Sequence, residues 1–172
     1  VFKQNASCRA FYQYAQEHLP RYSKVLLAMR WGNQMPENSN SISYDADFFQ
    51  KFDTMLQTLS SEKQIVYLMT DNQTLSYNAL RAYMLSSRIP GYRQNLHSDD
   101  EATTKGNIRI RELAAKYPNV HIIDAAALIP KDFKIDGLPV YSDKDHINPY
   151  GGIELAKLFS EENKLLDTHH SH

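Results

Sequence analysis

Three apolar runs of strand length, set far apart, limit what this chain can become. They read KVLLAMR (24–30), QIVYLMT (64–70) and NVHIIDA (119–125). The first two are apolar and of strand length and the third is β-branched after a Pro-Asn turn, the pattern of strands covered on both faces, which belong to parallel sheets. The chain between neighbouring runs is long enough for a helical crossover and far too long for a tight hairpin. Helical patterns fill those gaps. In DADFFQKFDTMLQTLSS (45–61), Phe48, Phe49, Phe52, Met55, Leu56 and Leu59 recur at helical spacing, with Asp45 or Asp47 placed to cap the start. In DDEATTKGNIRIRELAAKY (99–117), Ile108, Ile110, Leu113 and Ala114 predict a buried stripe that Pro118 ends. A last helix is predicted from Asn148, a good N-cap, with Pro149 in the first turn and a stripe of Ile153, Leu155, Leu158 and Phe159. Gly151 and Gly152 weaken that start by about 1 kcal/mol each relative to alanine, which predicts that something packs closely there. The alternation implies an α/β fold with a parallel sheet and helices on both faces. A length of 172 residues suits one domain, expected over 1–166, with a disordered tail at 167–172.

Composition excludes several classes. The formal net charge is -1, so no general basic field is present to hold nucleic acid. No apolar run approaches the roughly 20 residues that cross a bilayer. The first residues, VFKQNASCRAF, lack the basic start and apolar centre of a signal peptide. Cys8 is the only cysteine, which excludes an internal disulfide and a cysteine zinc cluster. It reads either as a small buried apolar residue or as one with a partner outside this sequence.

Polar chemistry concentrates in YSDKDHINPYGG (141–152), directly before the last predicted helix. An imidazole is a general base near neutral pH when a carboxylate fixes its tautomer and stabilises the imidazolium. Asp143 lies three residues before His146, a spacing that lets a tight loop fold the carboxylate onto Nδ1. Asp145 is adjacent, and adjacent side chains in extended chain point apart, so Asp143 is the expected orienting group. The competing reading is a solvated turn with His146 packed near the helix start. Two long irregular stretches, 32–45 and 86–104, add candidate binding loops, since ligands of open α/β sheets gather beyond the carboxyl ends of strands.

The segment DGLPVYSDKDHINPYGGIELAKLF resembles the last sequence block of the SGNH (GDSL-type) hydrolase superfamily, where an Asp-x-x-His pair precedes the C-terminal helix. More narrowly, VLLAMRWGN and KGNIRIRELAAKYPNVHIIDAAALIP resemble SGNH domains fused to membrane acyltransferases that O-acetylate bacterial surface polysaccharides. In those domains a strand ends in Ala-Arg-Trp, and an asparagine opens a helix before a strand ending in Asp. The resemblance spans roughly residues 8–166. It implies a three-layer SGNH/flavodoxin-like sheet with Asp143 and His146 as the catalytic pair. It places Arg30 and Trp31 near the active-site rim and makes Asn33 a loose counterpart of the superfamily's oxyanion asparagine. Trp31 also reads as a core aromatic, and Arg30 as a solvated charge at a strand end. The family's nucleophile is a serine in a Gly-Asp-Ser block after the first strand, and no such block occurs here. The first strand and nucleophile are therefore expected upstream of Val1, unless the protein lacks the nucleophile. Ser7 reads better as an N-cap, and Ser142 points away from its neighbour Asp143.

The activity this implies is that of an SGNH-type O-acyltransferase or esterase domain working on acetyl groups of a cell-envelope polysaccharide. Without its serine, the chain alone is expected to be nearly inactive. The implied partners are a glycan acceptor, an acyl donor and a membrane acyltransferase domain of the same parent, with no nucleic acid, metal or organic cofactor. Trp31, Tyr44 and Tyr92 are candidate stacking platforms for sugar. An extracytoplasmic position follows from the same resemblance. The alternative is a catalytically inactive glycan-binding module of the same fold. An unrelated flavodoxin-like domain is disfavoured, since no phosphate-binding loop follows any predicted strand.

Overall fold

The structure is a computed structural model that describes residues 14, 17–40, 44–61, 64–98 and 100–162. Ser7, Cys8 and the tail at 167–172 lie outside the described residues. Among the described residues the strands are β1 (Lys24–Leu27), β2 (Ile65–Met69), β3 (Val120–Ile123), β4 (Lys134–Ile135) and β5 (Leu138–Pro139). The α-helices are α1 (Phe48–Ser61), α2 (Ala79–Arg88), α3 (Glu101–Ala114) and α4 (Pro149–Glu162). The three apolar runs are thus the three long strands, β1 trimmed only at its carboxyl end and β2 and β3 trimmed at both ends. The chain divides into two compact units: residues through Asp71 with Glu101–Asp124, and Asn72–Asp100 with the residues from Ala125 onward.

The first unit holds a parallel sheet in the order β1-β2-β3. Val25 pairs with Val66 and Val66 with Val120, while Leu27, Leu68 and Ile122 form the next aligned row but one. The mixed α/β architecture with a parallel sheet is the expected class. Burial alternates along β1 and β2. Val66, Leu68 and Val120 face a core built with Phe48, Phe52, Leu56 and Leu59 of α1 and Ile110, Leu113 and Ala114 of α3. Each of the valine, leucine, isoleucine and phenylalanine side chains among them contributes about 1.5–3 kcal/mol on burial. Leu26, by contrast, is 54% exposed, and the Tyr67 and His121 rings next to it in register lie 5.7 Å apart. The runs are continuous in composition, yet in β1 and β2 only alternate residues are fully enclosed.

Helix α3 departs from its predicted stripe. Its buried face is Ala102, Thr103, Gly106, Asn107, Ile110, Leu113 and Ala114, whereas Ile108 is 51% exposed. Thr103, Gly106, Asn107, Ile110, Leu113 and Ala114 follow the helical spacing of a single face, and Ile108 falls off it. The reason is close approach. A Cβ on Gly106 would lie 2.7 Å from the Gly32 nitrogen, and one on Gly32 would lie 2.8 Å from the Thr103 nitrogen. Two glycines therefore let α3 meet the 3-10 turn Trp31–Gln34 at backbone distance. Asn107, expected to open a helix, sits inside α3 instead. It is buried and brackets Asp71, whose N–H donates to Asn107 Oδ1 and whose carbonyl accepts from Nδ2, both at 2.8 Å.

The second unit is organised around Leu75, Ala79, Val140 and Tyr141, with Leu96, Ile129, Phe133, Ile135 and Ile147 packed against them. Strands β4 and β5 form an antiparallel hairpin. Asp136 and Gly137 between them have φ 48° and 78°, the left-handed pair that tight hairpins select. Asn148 caps α4 as predicted: Oδ1 accepts from the Gly151 N–H at 2.6 Å, and Nδ2 donates to the Pro139 carbonyl at 2.7 Å. Of the two glycines only Gly151 is pressed against a neighbour, the Val140 backbone, while Gly152 faces open space. Ile153, predicted as part of the buried stripe, is 58% exposed and lies outside it. Leu155, Leu158 and Phe159 are half-buried, and at roughly 100° per residue Ile153 falls on the other side of the helix from them.

Candidate active site

Everything about the Asp143–His146 loop follows from how its ends are tied. Tyr141 and Ile147 form an isolated antiparallel bridge, so the five intervening residues close a tight loop. The Ser142 N–H and hydroxyl both donate to the His146 carbonyl, at 2.8 and 3.0 Å. Inside, the Asp143 side chain turns back on its own backbone. Its Oδ1 accepts from the Asp145 N–H at 3.0 Å and the His146 N–H at 2.9 Å, the local bonding that aspartate favours in turns. This turn brings the carboxylate to the imidazole: His146 Nδ1 lies 3.0 Å from Asp143 Oδ2 and 3.2 Å from Oδ1.

The loop also brings in Asp145, which an extended chain would point away. Because the backbone is folded, Asp145 Oδ1 lies 3.1 Å from His146 Nδ1. Two carboxylates thus flank one ring nitrogen. A carboxylate only accepts, so the tautomer that completes these contacts carries its proton on Nδ1. That leaves Nε2 as the acceptor on a side chain that is 73% exposed. The ring is not packed in an apolar pocket. The two backbone N–H groups, and then the imidazole, hold the Asp143 carboxyl well below the usual carboxylate range.

The loop is pinned from a second segment of the same unit. Three consecutive carbonyls are engaged: Asp143 by the Ala79 N–H at 3.0 Å, Lys144 by the Leu75 N–H at 2.7 Å, and Asp145 by Asn72 Nδ2 at 2.8 Å. Tyr141, fully buried at the start of the loop, donates its hydroxyl to the Gln73 carbonyl at 3.1 Å. Asn72 is the site residue that sequence reasoning misses, and Asp145 is the one it weighs and sets aside. The one trace of Asn72 is its place in the polar TDN step at the end of β2.

Arg30, Trp31 and Asn33 belong to the first unit. Arg30 follows β1, with its Nε 3.9 Å from Asp71 Oδ2. Thr70, after β2, donates to Asp124 Oδ1 at 3.1 Å, and Arg111 pairs with Oδ2 at 2.7 Å. Polar side chains therefore collect at the carboxyl ends of the three strands. Trp31 is wholly buried, tilted on Phe52 at 5.2 Å between centroids, and its indole N–H donates to the Met69 carbonyl at 2.8 Å. It offers no free face to a sugar, and of its two readings the core aromatic is the one seen. Asn33 is half-buried in the turn after β1. Tyr44 and Tyr92 are also half-buried. Asp143, Asp145 and His146 offer one ligand atom each within 4.8 Å of one another. A cation there would have to displace the Nδ1 proton that the two carboxylates hold. Among the described residues no helix is long and apolar enough to cross a membrane.

No curated protein matches this chain. The family described as "SGNH domain (fused to AT3 domains)" matches it over residues 1–161. That match brings acyl-group hydrolase or acyltransferase chemistry with it, and a parent protein carrying a membrane acyltransferase domain. With nearly its whole length matched, the chain belongs to the family of SGNH domains fused to AT3 domains.

Proposed function

We propose that Asp143 and His146 are the carboxylate and base of a Ser-His-Asp triad in an O-acyltransferase or esterase domain acting on a cell-envelope polysaccharide. The observation that carries this is the fixed contact between Asp143 and Nδ1 on an exposed imidazole. The serine comes from a block upstream of Val1. Its Oγ attacks an acyl carbonyl while Nε2 takes the hydroxyl proton, and Asp143 stabilises the imidazolium through Nδ1–H. Collapse of the tetrahedral intermediate expels the donor's alcohol or thiol, protonated from Nε2, and leaves an acyl-serine. A sugar hydroxyl, or water, then attacks that ester. Nε2 takes the incoming proton and returns it to the serine. Arg30 and Asn33 retain proposed substrate or oxyanion roles through the motif that names them. The parent's membrane acyltransferase domain is the proposed partner, with this domain on the extracytoplasmic side.

The test uses the parent protein and hydrolysis of a small acetyl ester. His146→Ala is expected to lower turnover by about 10³-fold or more with the fold intact by circular dichroism. Unchanged turnover removes His146 from the chemistry. An unaltered parent that turns over no ester but binds the glycan supports the binding-module reading instead.

A further inference from the structure

We infer that Asn72 is a positioning residue for the Asp143–His146 pair, a role that rests on the acyl-transfer reading for its meaning but not for its geometry. The peptide between Asp145 and His146 is planar. Its carbonyl accepts from Asn72 Nδ2 at 2.8 Å, and its N–H donates to Asp143 Oδ1 at 2.9 Å. The same carboxylate then holds His146 Nδ1 through Oδ2 at 3.0 Å. A continuous hydrogen-bonded path therefore runs from the Asn72 amide through one rigid plane and one carboxylate to the ring.

The carbonyls of Lys144 and Asp143 are held by the backbone N–H groups of Leu75 and Ala79. Those bonds depend on chain position rather than on side-chain identity. Asn72 supplies the remaining bond from a side chain, at the carbonyl adjoining His146. Without it, the 145–146 plane loses its restraint from Asn72 on the carbonyl side. The His146 N–H then moves off Oδ1, and the carboxylate loses one of the two backbone donors that set its angle to the ring. Bonds linked in series reinforce one another, so loss at one end weakens the contact at the other. Asn72 does not need to touch the reacting groups to act this way.

The test uses the 172-residue chain with Asn72→Leu, near in shape and lacking the donor, and Asn72→Gln, which keeps it. Imidazole nitrogen chemical shifts report the His146 tautomer, and hydrogen exchange reports the His146 amide. In Asn72→Leu the Nδ1–H tautomer is expected to lose its dominance, and the His146 amide to exchange about tenfold faster. Amides of β2 should not change. Asn72→Gln should recover part of both. If Asn72→Leu does not fold, Asn72→Ser, small enough for the site and too short to reach the carbonyl, is read by the same criteria. An unchanged tautomer and unchanged His146 exchange in a folded variant overturn the inference. So does a loss of protection shared equally with β2, which makes Asn72 merely structural. In the parent, kcat for the acetyl ester should fall with KM unchanged. A parent whose turnover ignores His146→Ala sinks the acyl-transfer reading alone, since tautomer and exchange are measured without turnover.

Discussion

The two carboxylates on Nδ1 make a quantitative prediction about which of them the chemistry needs. In Asp143→Asn, the side-chain oxygen stays where it accepts from the Asp145 and His146 N–H groups, because those two bonds admit only an acceptor. The amide nitrogen must then replace Oδ2, 3.0 Å from Nδ1. A donor now faces a donor, and the ring is driven toward the tautomer with its proton on Nε2, which cannot act as base. In a serine protease the corresponding change costs about 10⁴-fold in kcat. Here Asp145 Oδ1, 3.1 Å from Nδ1, remains to hold the Nδ1 proton. The loss for Asp143→Asn should therefore be smaller, about 10²-fold, and Asp145→Asn alone should stay within about threefold, with Asp143 still in place. The double variant should fall by about 10⁴-fold, well beyond the product of the singles, as expected for groups sharing one partner. The assay is acetyl-ester hydrolysis by the parent protein, with the His146 tautomer read on the same variants. A full 10⁴-fold loss in Asp143→Asn with no further effect of Asp145→Asn would show that the Asp145 contact is idle. A greater loss from Asp145→Asn than from Asp143→Asn would make Asp145 the orienting group. A double variant with unchanged turnover would refute the argument that the ring needs a carboxylate at all.

Two other outcomes follow from the geometry. Gly106→Ala places a Cβ 2.7 Å from the Gly32 nitrogen and from the Trp31 carbonyl carbon, backbone atoms that cannot swing aside, so urea unfolding should show a loss of about 1–3 kcal/mol; an unchanged midpoint would mean that α3 and the 31–34 turn are not in backbone contact. Because the Asp143 carboxyl lies below its ordinary value in the folded loop, its stabilising contribution is complete above the ordinary aspartate range near pH ~3.9 and is lost progressively as pH falls from there through the depressed folded value. The Asp143 carboxyl carbon shift should accordingly stay flat from neutral pH down to about pH 4, and a titration step centred near the ordinary aspartate value would show that the two backbone N–H bonds are not made.

How much was legible in the sequence differs from element to element. Periodicity and composition located the three strands, α1 and the N-cap at Asn148, because those features are written in consecutive residues with local causes. The three-residue spacing of Asp143 and His146 left a solvated turn open, and the resemblance of the surrounding block to SGNH domains is what singled the pair out. The buried faces of α3 and α4 were misread where burial is chosen by a neighbour rather than by hydropathy. Ile108 gives way to Asn107 and Gly106, since the turn after β1 approaches within backbone distance, and Ile153 faces outward although it is more apolar than Gly151.

The amino-acid order alone thus determined the α/β class and the parallel strands, and its resemblance to SGNH domains pointed to the pairing of one carboxylate with one imidazole. Only the tertiary structure decided that Asp145 joins that pair, that Trp31 is enclosed in the core, and that Asn72 reaches the carbonyl beside His146 from 73 positions away in the chain. The division has a physical cause. Helical period, capping and turn bonding act over a few residues and leave a pattern that can be read along the chain. Contacts between remote segments depend on where the backbone has already been carried, and a lone asparagine carries no mark of the carbonyl it will meet.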